Sequence, residues 1–508
     1  MKIIITIFWF LILFKCLLFW TWLWQLKEYH SGRFRAHFET QKVRKILSSF
    51  WRIKFPKFTK KILFILSIGV ILEALITFFI FPLENEKFYF LLLIFLILSP
   101  VIFSLLVLFF QMPTFIWKKR ILKRAARKIE KFKNLLVIGI TGSYGKTSTK
   151  EFLAEILGGS TGYSQKVLKT KKHINSEIGI AQTILQELKP EHQIFIVEIG
   201  AYEKGKIKEV CQMIKPQIGI LTGINEQHLS TFGSLKNIIN GKLELIEALT
   251  KDGLAVLNGN NKTIYDLRSS RCNGIPTKAG KIQEYNPNLK NIKFISTKEH
   301  LDLWVENIRI EKEFLSFKVF ARDGDFAEFK INVIGAQNIE NILLACLTAK
   351  KLGIGLQKTA EICQKIKSLP DSLRLLKKDA LNVLDATYSS NPQGIFSHLS
   401  HLKNWQGKKV IVMPCLIELG KLGKEIHQRI GEEIGRICDF AIITTKDYFK
   451  ELKNGAENSG MIAEKISFIR NAEEIYKKIK IFQGLEDIIL LESRVPKSLL
   501  KLIFNNGN

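Results

Sequence analysis

The first 111 residues are dominated by three long stretches of apolar side chains. These stretches cover residues 3–24, 62–81 and 88–110. A helix needs about 20 residues to cross a bilayer, because it rises about 1.5 Å per residue, and each stretch is long enough. The pattern therefore predicts three transmembrane helices within residues 1–111.

Two strongly basic segments flank the apolar stretches. Residues 25–61 carry eleven Lys and Arg against two Glu, and residues 112–134 carry nine against one. Because basic loops remain cytoplasmic, this predicts a multi-pass protein of the cell (inner) membrane with everything after residue 111 in the cytoplasm. A cleaved signal peptide at 3–24 is the alternative. It lacks a small-residue cleavage site, and export would place segment 25–61 on the wrong side.

The formal net charge of +29 raises the question of a nucleic-acid partner. The densest basic runs lie directly beside the apolar stretches, where anionic lipid head groups would meet them. Within 112–134, Trp117, Ile121, Ala125, Ile129 and Phe132 recur at helical spacing among lysines and arginines. This predicts a basic amphipathic juxtamembrane helix with membrane lipids, and no nucleic acid, as its partner.

The seven cysteines are scattered and form no CxxC pair. A zinc ribbon or a disulfide framework would need closely spaced cysteines. The spacing instead predicts small buried residues in a reducing compartment.

From residue 134 onward, short apolar runs alternate with helical segments, which is typical of a parallel α/β sheet. The first strands are predicted at 135–140, 193–197 and 218–222, with a helix at 150–157. We assign residues 135–368 to a central domain, in which 262–331 is a strand-rich, exposed excursion.

A second α/β domain is predicted for residues 369–508. Its strands are expected near 382–385, 409–413, 440–444 and 487–491, with helical runs between them. The segment 368–371 contains a proline and is the expected hinge. The predicted fold class is therefore α/β: a helical transmembrane region, a parallel-sheet domain with a phosphate loop, and a C-terminal Rossmann-like domain.

A glycine-rich turn follows the first strand of the central domain. Its residues are Thr141, Gly142, Ser143, Tyr144, Gly145, Lys146, Thr147 and Ser148. When a strand leads through a glycine turn into the first turn of a helix, backbone N–H groups face a bound anion. A lysine in the turn reaches the β- and γ-phosphates of a nucleotide. Ile140 stands where the longer phosphate-loop pattern has its first glycine, so the pattern present is the shorter TGxxGK[ST].

Polar residues follow the next two predicted strands. Glu198 ends the run 193–197, and His228 follows the run 218–222. A carboxylate at the tip of a strand beside a phosphate loop is suited to a magnesium ion, together with the Thr147 hydroxyl. Taken alone, a strand-end Glu is also an ordinary solvated residue, and a His after a strand is more often structural.

The chain resembles the Mur ligase family, the ATP-dependent amino-acid ligases of peptidoglycan precursor synthesis, and most of all its members that add D-alanyl-D-alanine. The resemblance covers residues 135–508 and depends on motifs in a fixed order. These are TGSYGKTS at 141–148, HINSEIG at 173–179, EIGA at 198–201, HLSTFGSL at 228–235, GKLE at 241–244, LN at 257–258, GAQN at 335–338, DATYSSNP at 385–392 and IELG at 417–420.

The resemblance implies site residues. Lys146 and its loop would hold ATP, while Thr147, Glu198 and His228 would serve Mg²⁺, joined by Lys242 if that lysine is carbamylated. Lys146, Glu198, His228 and Lys242 are the implied catalytic set. Further nucleotide contacts are implied at Asn258, Asn338, Arg374, Asp385 and Tyr388. Contacts to the acceptor and the amine donor are implied at Asn175, Glu177, Asn391, Glu418 and His427.

The resemblance also implies an activity: an acceptor carboxylate is phosphorylated by ATP, and an amino acid or dipeptide then displaces phosphate to form an amide. The chain departs from the family pattern in two ways. Apolar membrane stretches stand in place of the UDP-binding domain. The residues in or beside three of the C-terminal motifs also differ from those usual in the family, at Ala386, Pro414-Cys415 and Leu491-Glu492. The expected partners are a peptidoglycan precursor and D-alanyl-D-alanine or another amine donor. A poly-γ-glutamate-type ligase and a non-catalytic membrane scaffold for a nucleotide are the alternatives.

Overall fold

The computed structural model describes residues 1–27, 29, 34, 53–160, 166–171, 174–269, 282–366, 369, 372–378, 380–388, 391–417 and 419–504. These divide into two compact units, Met1–Ile121 and Leu122–Asn508. Most of the basic segment 25–61 and most of the expected hinge at 368–371 lie outside the described residues. The predicted domain boundaries remain predictions.

The first unit is built from three apolar helices, α1 (Lys2–Leu26), α2 (Lys60–Ile80) and α3 (Asn85–Phe109). They pack around a shared apolar core, and Trp9 Nε1 of α1 donates to the Leu92 carbonyl of α3 at 2.9 Å. Three helical segments of the described chain are long and apolar enough to cross a membrane, and the third runs on into helix α4 (Met112–Ile129). These bounds match the predicted stretches to within a few residues.

Helix α4 has an apolar and a basic side. Leu122, Ala125 and Ile129 are buried, whereas Trp117 in its first half is exposed. The helix ends at Ile129, before the predicted limit at residue 134, and the chain turns there into the first strand of the second unit.

The second unit begins with a nine-stranded sheet in the order β2-β3-β1-β4-β5-β6-β7-β8-β9. Its strands are β1 (Leu136–Thr141), β2 (Val167–Lys169), β3 (Ile194–Glu198), β4 (Ile218–Leu221), β5 (Leu254–Asn258), β6 (Asn291–Ser296), β7 (Leu303–Ile310), β8 (Leu315–Ala321) and β9 (Phe326–Ile331). The first six strands run parallel, so their carboxyl ends share one edge. Ligands bind at this edge in α/β sheets.

The helices of this part are α5 (Lys146–Gly158), α6 (Glu177–Glu187), α7 (Lys206–Ile214), α8 (Leu229–Phe232), α9 (Leu235–Glu247), α10 (Lys262–Ser269), α11 (Ile282–Tyr285), α12 (Gln337–Lys351) and α13 (Leu356–Gln364). Helix α12 is almost entirely apolar on its inner side, and α5 and α12 bury a common core against the sheet. This packing brings the start of α12 next to the start of α5.

The segment 262–331 differs from the prediction of an exposed excursion. Its strands β6 to β9 continue the same sheet, and one face of β8 and β9 is buried with α12. The alternating burial of β8 and β9 explains the error, since every second residue of a half-buried strand is polar.

The last part of the chain forms a six-stranded sheet in the order β10-β11-β15-β12-β13-β14, parallel except for β10. The strands are β10 (Arg374–Lys378), β11 (Leu381–Ala386), β12 (Lys409–Met413), β13 (Phe440–Ile443), β14 (Ile466–Phe468) and β15 (Ile488–Glu492). The helices are α14 (Pro392–His401), α15 (Gly423–Ile437), α16 (Phe449–Asn458), α17 (Ala472–Ile479) and α18 (Lys497–Phe504). Apolar clusters cover both faces of this sheet, which is the predicted second α/β domain.

Candidate active site

The turn between β1 and α5 is held tightly against the tip of β4. Gly145 has a φ of +77° and Gly142 a φ of +152°, which side chains other than glycine rarely adopt. A Cβ atom at Gly142 would overlap the Thr222 side chain, and one at Gly145 would overlap Asn341. The Ser143 amide donates to the Gly223 carbonyl at 2.7 Å. Only glycine therefore fits both positions, and the backbone itself forms the surface of the turn.

Helix α5 begins at Lys146, so its first turn follows directly on this loop. The first N–H groups of a helix have no intrahelical partner and attract an anion. Lys146 Nζ lies within the loop and donates to the Gly142 carbonyl at 2.8 Å. Burial lowers the pKa of Lys146, while the Glu198 carboxylate acts in the opposite direction. The loop therefore presents amides and one ammonium at the same point.

Tyr144 closes the far side of the turn. Its ring covers Gly223, and its hydroxyl accepts from Asn261 Nδ2 at 3.1 Å. Burial raises the pKa of Tyr144, so the hydroxyl stays protonated. Thr141 is buried and Ser148 half-buried on either side of the turn.

A buried carboxylate stands beside the loop. The parallel pairing of β1 with β3 sets Ile140 opposite Glu198 at the carboxyl edge. Glu198 accepts from the Thr147 hydroxyl at 2.9 Å and from Asn175 Nδ2 at 3.1 Å. The structure thus brings together three residues that the sequence singled out separately.

A second lysine, Lys150, reaches the same carboxylate from one turn further along α5. It is 0% exposed, and its Nζ lies 3.4 Å from Glu198 and 3.2 Å from Glu151. Glu151 in turn accepts from Lys169 Nζ at 2.5 Å. A buried charge is stable only when it is paired, and this network of ion pairs balances the negative charge of Glu198.

Lys242 lies on α9 at 2% exposure. Burial, and then the nearby Lys146 ammonium, place the pKa of Lys242 well below its ordinary value, while Glu244 acts in the opposite direction. Glu244 is itself engaged, because it accepts from the Gly205 amide at 2.6 Å and the Lys208 amide at 2.9 Å. A neutral amine is the form of lysine that reacts with CO₂, and the carbamylation of Lys242 remains a prediction.

In CO₂-free buffer, Lys242→Met is expected to stabilise the protein by about 1–3 kcal/mol at pH 7, because it replaces a poorly compensated buried amine with an apolar chain. The folded-state pKa is lowered, so the wild type gains stability as pH rises toward the unfolded value, and the advantage of the variant shrinks. Thermal unfolding of the full chain between pH 7 and 10 measures this. Lys236→Met on the same helix is the control, and a variant less stable than wild type at pH 7 would contradict the assignment.

His228 has a φ of +66° and is the N-cap residue directly before the short helix α8. Its ring meets the Tyr202 ring edge-on, with centroids 4.7 Å apart. Tyr202 directly follows the Glu198–Ala201 motif, so His228 packs against the segment that leaves the tip of β3. Its predicted role as a metal ligand remains a prediction.

A cluster of amide side chains joins the loop to the start of α12. Asn258 Nδ2 donates to the Thr222 carbonyl at 2.8 Å and to Glu340 at 2.7 Å. Asn341 Oδ1 accepts from the Thr149 hydroxyl at 3.2 Å, and Asn341 Nδ2 donates to Asn338 at 3.3 Å. Asn338 is buried and its Nδ2 donates to the Ile334 carbonyl at 2.8 Å, and its predicted contact with the nucleotide remains a prediction.

In the second domain, Arg374 and Asp385 form an ion pair of 2.7 Å across β10 and β11. Asp385 also accepts from the Thr387 amide at 3.1 Å. Tyr388 follows on the carboxyl side of β11 and is 38% exposed. The structure therefore groups these three predicted nucleotide contacts at one edge of the second sheet.

The predicted substrate residues lie at several places. Asn175 is held against Glu198, and Glu177 starts α6 with Lys206 Nζ at 3.6 Å. Asn391 caps α14 by accepting from the Gly394 amide at 2.8 Å. Glu418 lies outside the described residues.

His427 is fully buried and has both ring nitrogens engaged. Its Nε2 accepts from the Leu416 amide at 2.9 Å, and its Nδ1 lies 2.5 Å from the Gly423 carbonyl. Its ring stacks on Tyr448, and burial lowers the pKa of His427 to about 4. This geometry gives the ring a structural role at the Leu416 backbone, and its predicted contact with a substrate remains a prediction.

Lys150 and Glu340 are site residues that sequence reasoning missed. Lys150 stands at helical spacing from Lys146, which is a weak signal that any surface lysine would also produce. Glu340 lies near the GAQN motif, but its partner Asn258 is far away in sequence. Neither contact is recognisable before the sheet is assembled.

Comparison with known proteins agrees with this geometry. Residues 140–349 match the Mur ligase middle domain. The chain is 25% identical over 311 residues to the UDP-N-acetylmuramoyl-tripeptide–D-alanyl-D-alanine ligase of Haemophilus influenzae. That match covers 60% of this chain and 62% of the relative, so the chain spans about three fifths of the relative's length.

Two solved structures share the fold. MurF from Acinetobacter baumannii has a TM-score of 0.66 at 21% identity and covers 77% of this chain and 81% of its own. MurF from Thermotoga maritima, in complex with ADP, has a TM-score of 0.62 at 23% identity and covers 76% of this chain and 83% of its own. Residues 140–349 are thus similar to the middle domain of the Mur ligase family, and the chain shares the fold of these MurF structures over about three quarters of its length.

Proposed function

We propose that the protein is an ATP-dependent ligase that forms an amide bond through an acyl phosphate. The observation that carries this is the Thr147–Glu198 hydrogen bond of 2.9 Å, placed beside the Lys146 ammonium inside a glycine turn. A scaffold that only held a nucleotide would have no use for a buried carboxylate balanced by Lys150 at this point.

The residues of the turn fit a nucleoside triphosphate. Gly142 and Gly145 leave no side chain between backbone and ligand, and the start of α5 adds its free N–H groups. Lys146 supplies the charge for the β- and γ-phosphates. The Asn338–Asn341 cluster and the Arg374–Asp385 pair are the groups we assign to the rest of the nucleotide.

The residues also fit a magnesium ion. Thr147 and Glu198 offer a hydroxyl and a carboxylate oxygen, the hard ligands that Mg²⁺ takes, and His228 is the third predicted ligand. Among the described residues no group of three His, Cys, Asp or Glu is clustered. Mg²⁺ commonly binds through one or two carboxylates plus phosphate oxygens, so this sparse set is suitable. When bound, the ion would neutralise phosphate charge.

The chemistry requires positioning more than reactive side chains. The acceptor carboxylate attacks the γ-phosphorus and ADP leaves; the amine then attacks the acyl carbon and inorganic phosphate leaves with loss of a proton from the amine. Lys146 holds the phosphates in line, and the amides of the turn face the negative charge. Asn175 holds Glu198 in place from the side on which the acceptor is expected.

The acceptor and the amine are assigned from the relatives. The Haemophilus protein is named for joining D-alanyl-D-alanine to UDP-N-acetylmuramoyl-tripeptide. We assign a peptidoglycan precursor and D-alanyl-D-alanine, or another amino acid or dipeptide, to this chain. The three apolar helices stand where the family has its UDP-binding domain, which favours a precursor already linked to lipid.

The test is phosphate release by the purified full chain with Mg²⁺-ATP, a muropeptide acceptor and D-alanyl-D-alanine. Release that needs both acceptor and dipeptide supports the proposal, and a panel of amino acids identifies another amine. Release with glutamate and a glutamyl acceptor would favour the poly-γ-glutamate alternative. Nucleotide binding without release on any acceptor would overturn the ligase assignment.

The proposed location is the cell (inner) membrane, with residues after 111 in the cytoplasm. It is supported by the three apolar helices and by the exposed Trp117 among the lysines and arginines of α4. Labelling of single cysteines in spheroplasts tests it. The accessibility of a cysteine placed at Ser67 or in the link 82–87 to an external reagent reports on the membrane segments. Labelling of Lys351→Cys from outside the cell would exclude a cytoplasmic location of the second unit.

A further inference from the structure

A buried histidine and glutamate lie under the exposed Tyr388 in the second domain. His398 is 1% exposed and Glu492 is 0% exposed. His398 Nδ1 lies 2.7 Å from Glu492 Oε2, and His398 Nε2 lies 3.3 Å from the Tyr388 hydroxyl. The three side chains form one line from the interior to the surface. Glu492 is also a position where the chain departs from the family pattern.

The backbone brings these residues together from three elements. Glu492 ends β15 and pairs with Ala386 of β11, and the Ser493 amide donates to the Ala386 carbonyl at 3.2 Å. Tyr388 lies two residues after Ala386, while His398 belongs to α14. The line therefore stands at the carboxyl edge of the second sheet, where ligands bind in such folds.

Both ring nitrogens of His398 have a partner. Nδ1 faces Glu492 Oε2, and Nε2 faces the Tyr388 hydroxyl. The second nitrogen of an imidazole ring is oriented by the hydrogen bond that the first one makes. The pair thus determines where the Tyr388 hydroxyl stands.

The carboxyl edge of the second sheet also contacts the central domain. Ser397, next to His398 on α14, donates its hydroxyl to Gln337 at the start of α12 at 2.5 Å. The line of three residues therefore lies near the end of α12 that carries the Asn338–Asn341 cluster, to which we assign the nucleotide.

We infer that His398 and Glu492 are a positioning pair that orients the Tyr388 hydroxyl for a hydrogen bond with the bound nucleotide. This rests on the proposed function, because Tyr388 is taken as a nucleotide contact. The pair itself does not contact the ligand. Its effect on catalysis passes through one oxygen atom.

The kinetic test is a double-mutant cycle in the full chain, with ATP-dependent phosphate release as the readout. His398→Phe and Tyr388→Phe are each expected to raise KM for ATP by about three- to tenfold with kcat within about twofold, the size of one lost hydrogen bond. The double variant should be no worse than Tyr388→Phe alone. Glu492→Leu should behave as His398→Phe does, and Glu492→Gln, which keeps an acceptor oxygen, should recover most of the wild-type KM.

His401 provides the matched control. It is a buried histidine one helical turn from His398, and burial lowers the pKa of His401 to about 4. His401→Phe should leave KM for ATP unchanged. Effects of His398→Phe and Tyr388→Phe that multiply, or an equal effect of His401→Phe, would overturn the inference in favour of a purely structural role.

A spectroscopic measurement separates this inference from the proposed function, because it needs no activity. With 3-fluorotyrosine at position 388 and no ligand, the fluorine resonance should shift in His398→Phe and Glu492→Leu but not in His401→Phe. Absence of phosphate release by the wild type would reject the ligase, whereas an unmoved resonance would reject the positioning pair.

Discussion

Lys146→Ala should reduce ATP-dependent phosphate release by about 10³-fold or more. Its ammonium is the one cation found within the loop among the described residues, donating to the Gly142 carbonyl at 2.8 Å. Removing a charge that faces the transferred phosphate costs several kcal/mol of transition-state stabilisation. Steady-state kinetics of the full chain with saturating acceptor and amine measures the loss.

The Lys146 variant is also expected to fold. Burial lowers the pKa of this lysine, so its charge opposes folding instead of supporting it. Lys351→Ala, an exposed lysine at the end of α12, serves as the control and should keep wild-type turnover. A Lys146→Ala protein that retains more than about a tenth of wild-type turnover would place the phosphates elsewhere.

Glu198→Gln should lower kcat/KM by about 10²–10³-fold and raise the Mg²⁺ concentration needed for half-maximal rate. The amide keeps the shape of the carboxylate and can still accept from Thr147, but it loses the charge that a divalent cation requires. A Mg²⁺ titration at fixed ATP separates this effect from a loss of nucleotide affinity.

The same substitution has a cost in stability that must be measured beside it. Lys150 is fully buried and faces Glu198 and Glu151, so removing one carboxylate leaves its charge less compensated, which costs about 1–3 kcal/mol. Glu155→Gln, on the solvent side of α5, is the control for general charge effects. Wild-type Mg²⁺ dependence in a folded Glu198→Gln protein would show that the metal site does not include Glu198.

The arrangement explains how one short turn serves several tasks. In the proposed function the glycine backbone would bind the anion and Lys146 would add charge, while Thr147 links the turn to Glu198. The carboxylate is held from a third side by Asn175 at 3.1 Å. Because each of these groups comes from a different element, the site depends on the packing of α5 against β3 and α12.

Local pattern was enough to predict most elements of this fold. The strand at 409–413 is found at Lys409–Met413, and the three apolar helices begin and end within a few residues of their predicted limits. Hydrophobic periodicity determines such elements because a buried strand or a membrane-length helix needs a continuous apolar surface. The phosphate loop was recognisable for a similar reason, since its glycines and lysine are contiguous.

Element ends and mixed patterns were predicted less well. The helix expected at 150–157 begins at Lys146, because its cap is Gly145 in a left-handed conformation and its first turn is polar. Strands β8 and β9 have alternating burial, which resembles exposed structure until α12 covers one face. In both cases the deciding contact comes from a distant part of the chain.

By itself, the sequence determined the class of the fold: apolar helices, a glycine turn after the first strand and two α/β sheets, all of which follow from neighbours along the chain. The tertiary structure alone decided which side chains act together. Lys150 with Glu198 and His398 with Glu492 are 48 and 94 residues apart. Such pairs arise because parallel strands bring their carboxyl ends to one edge, and no local periodicity records which residues meet there.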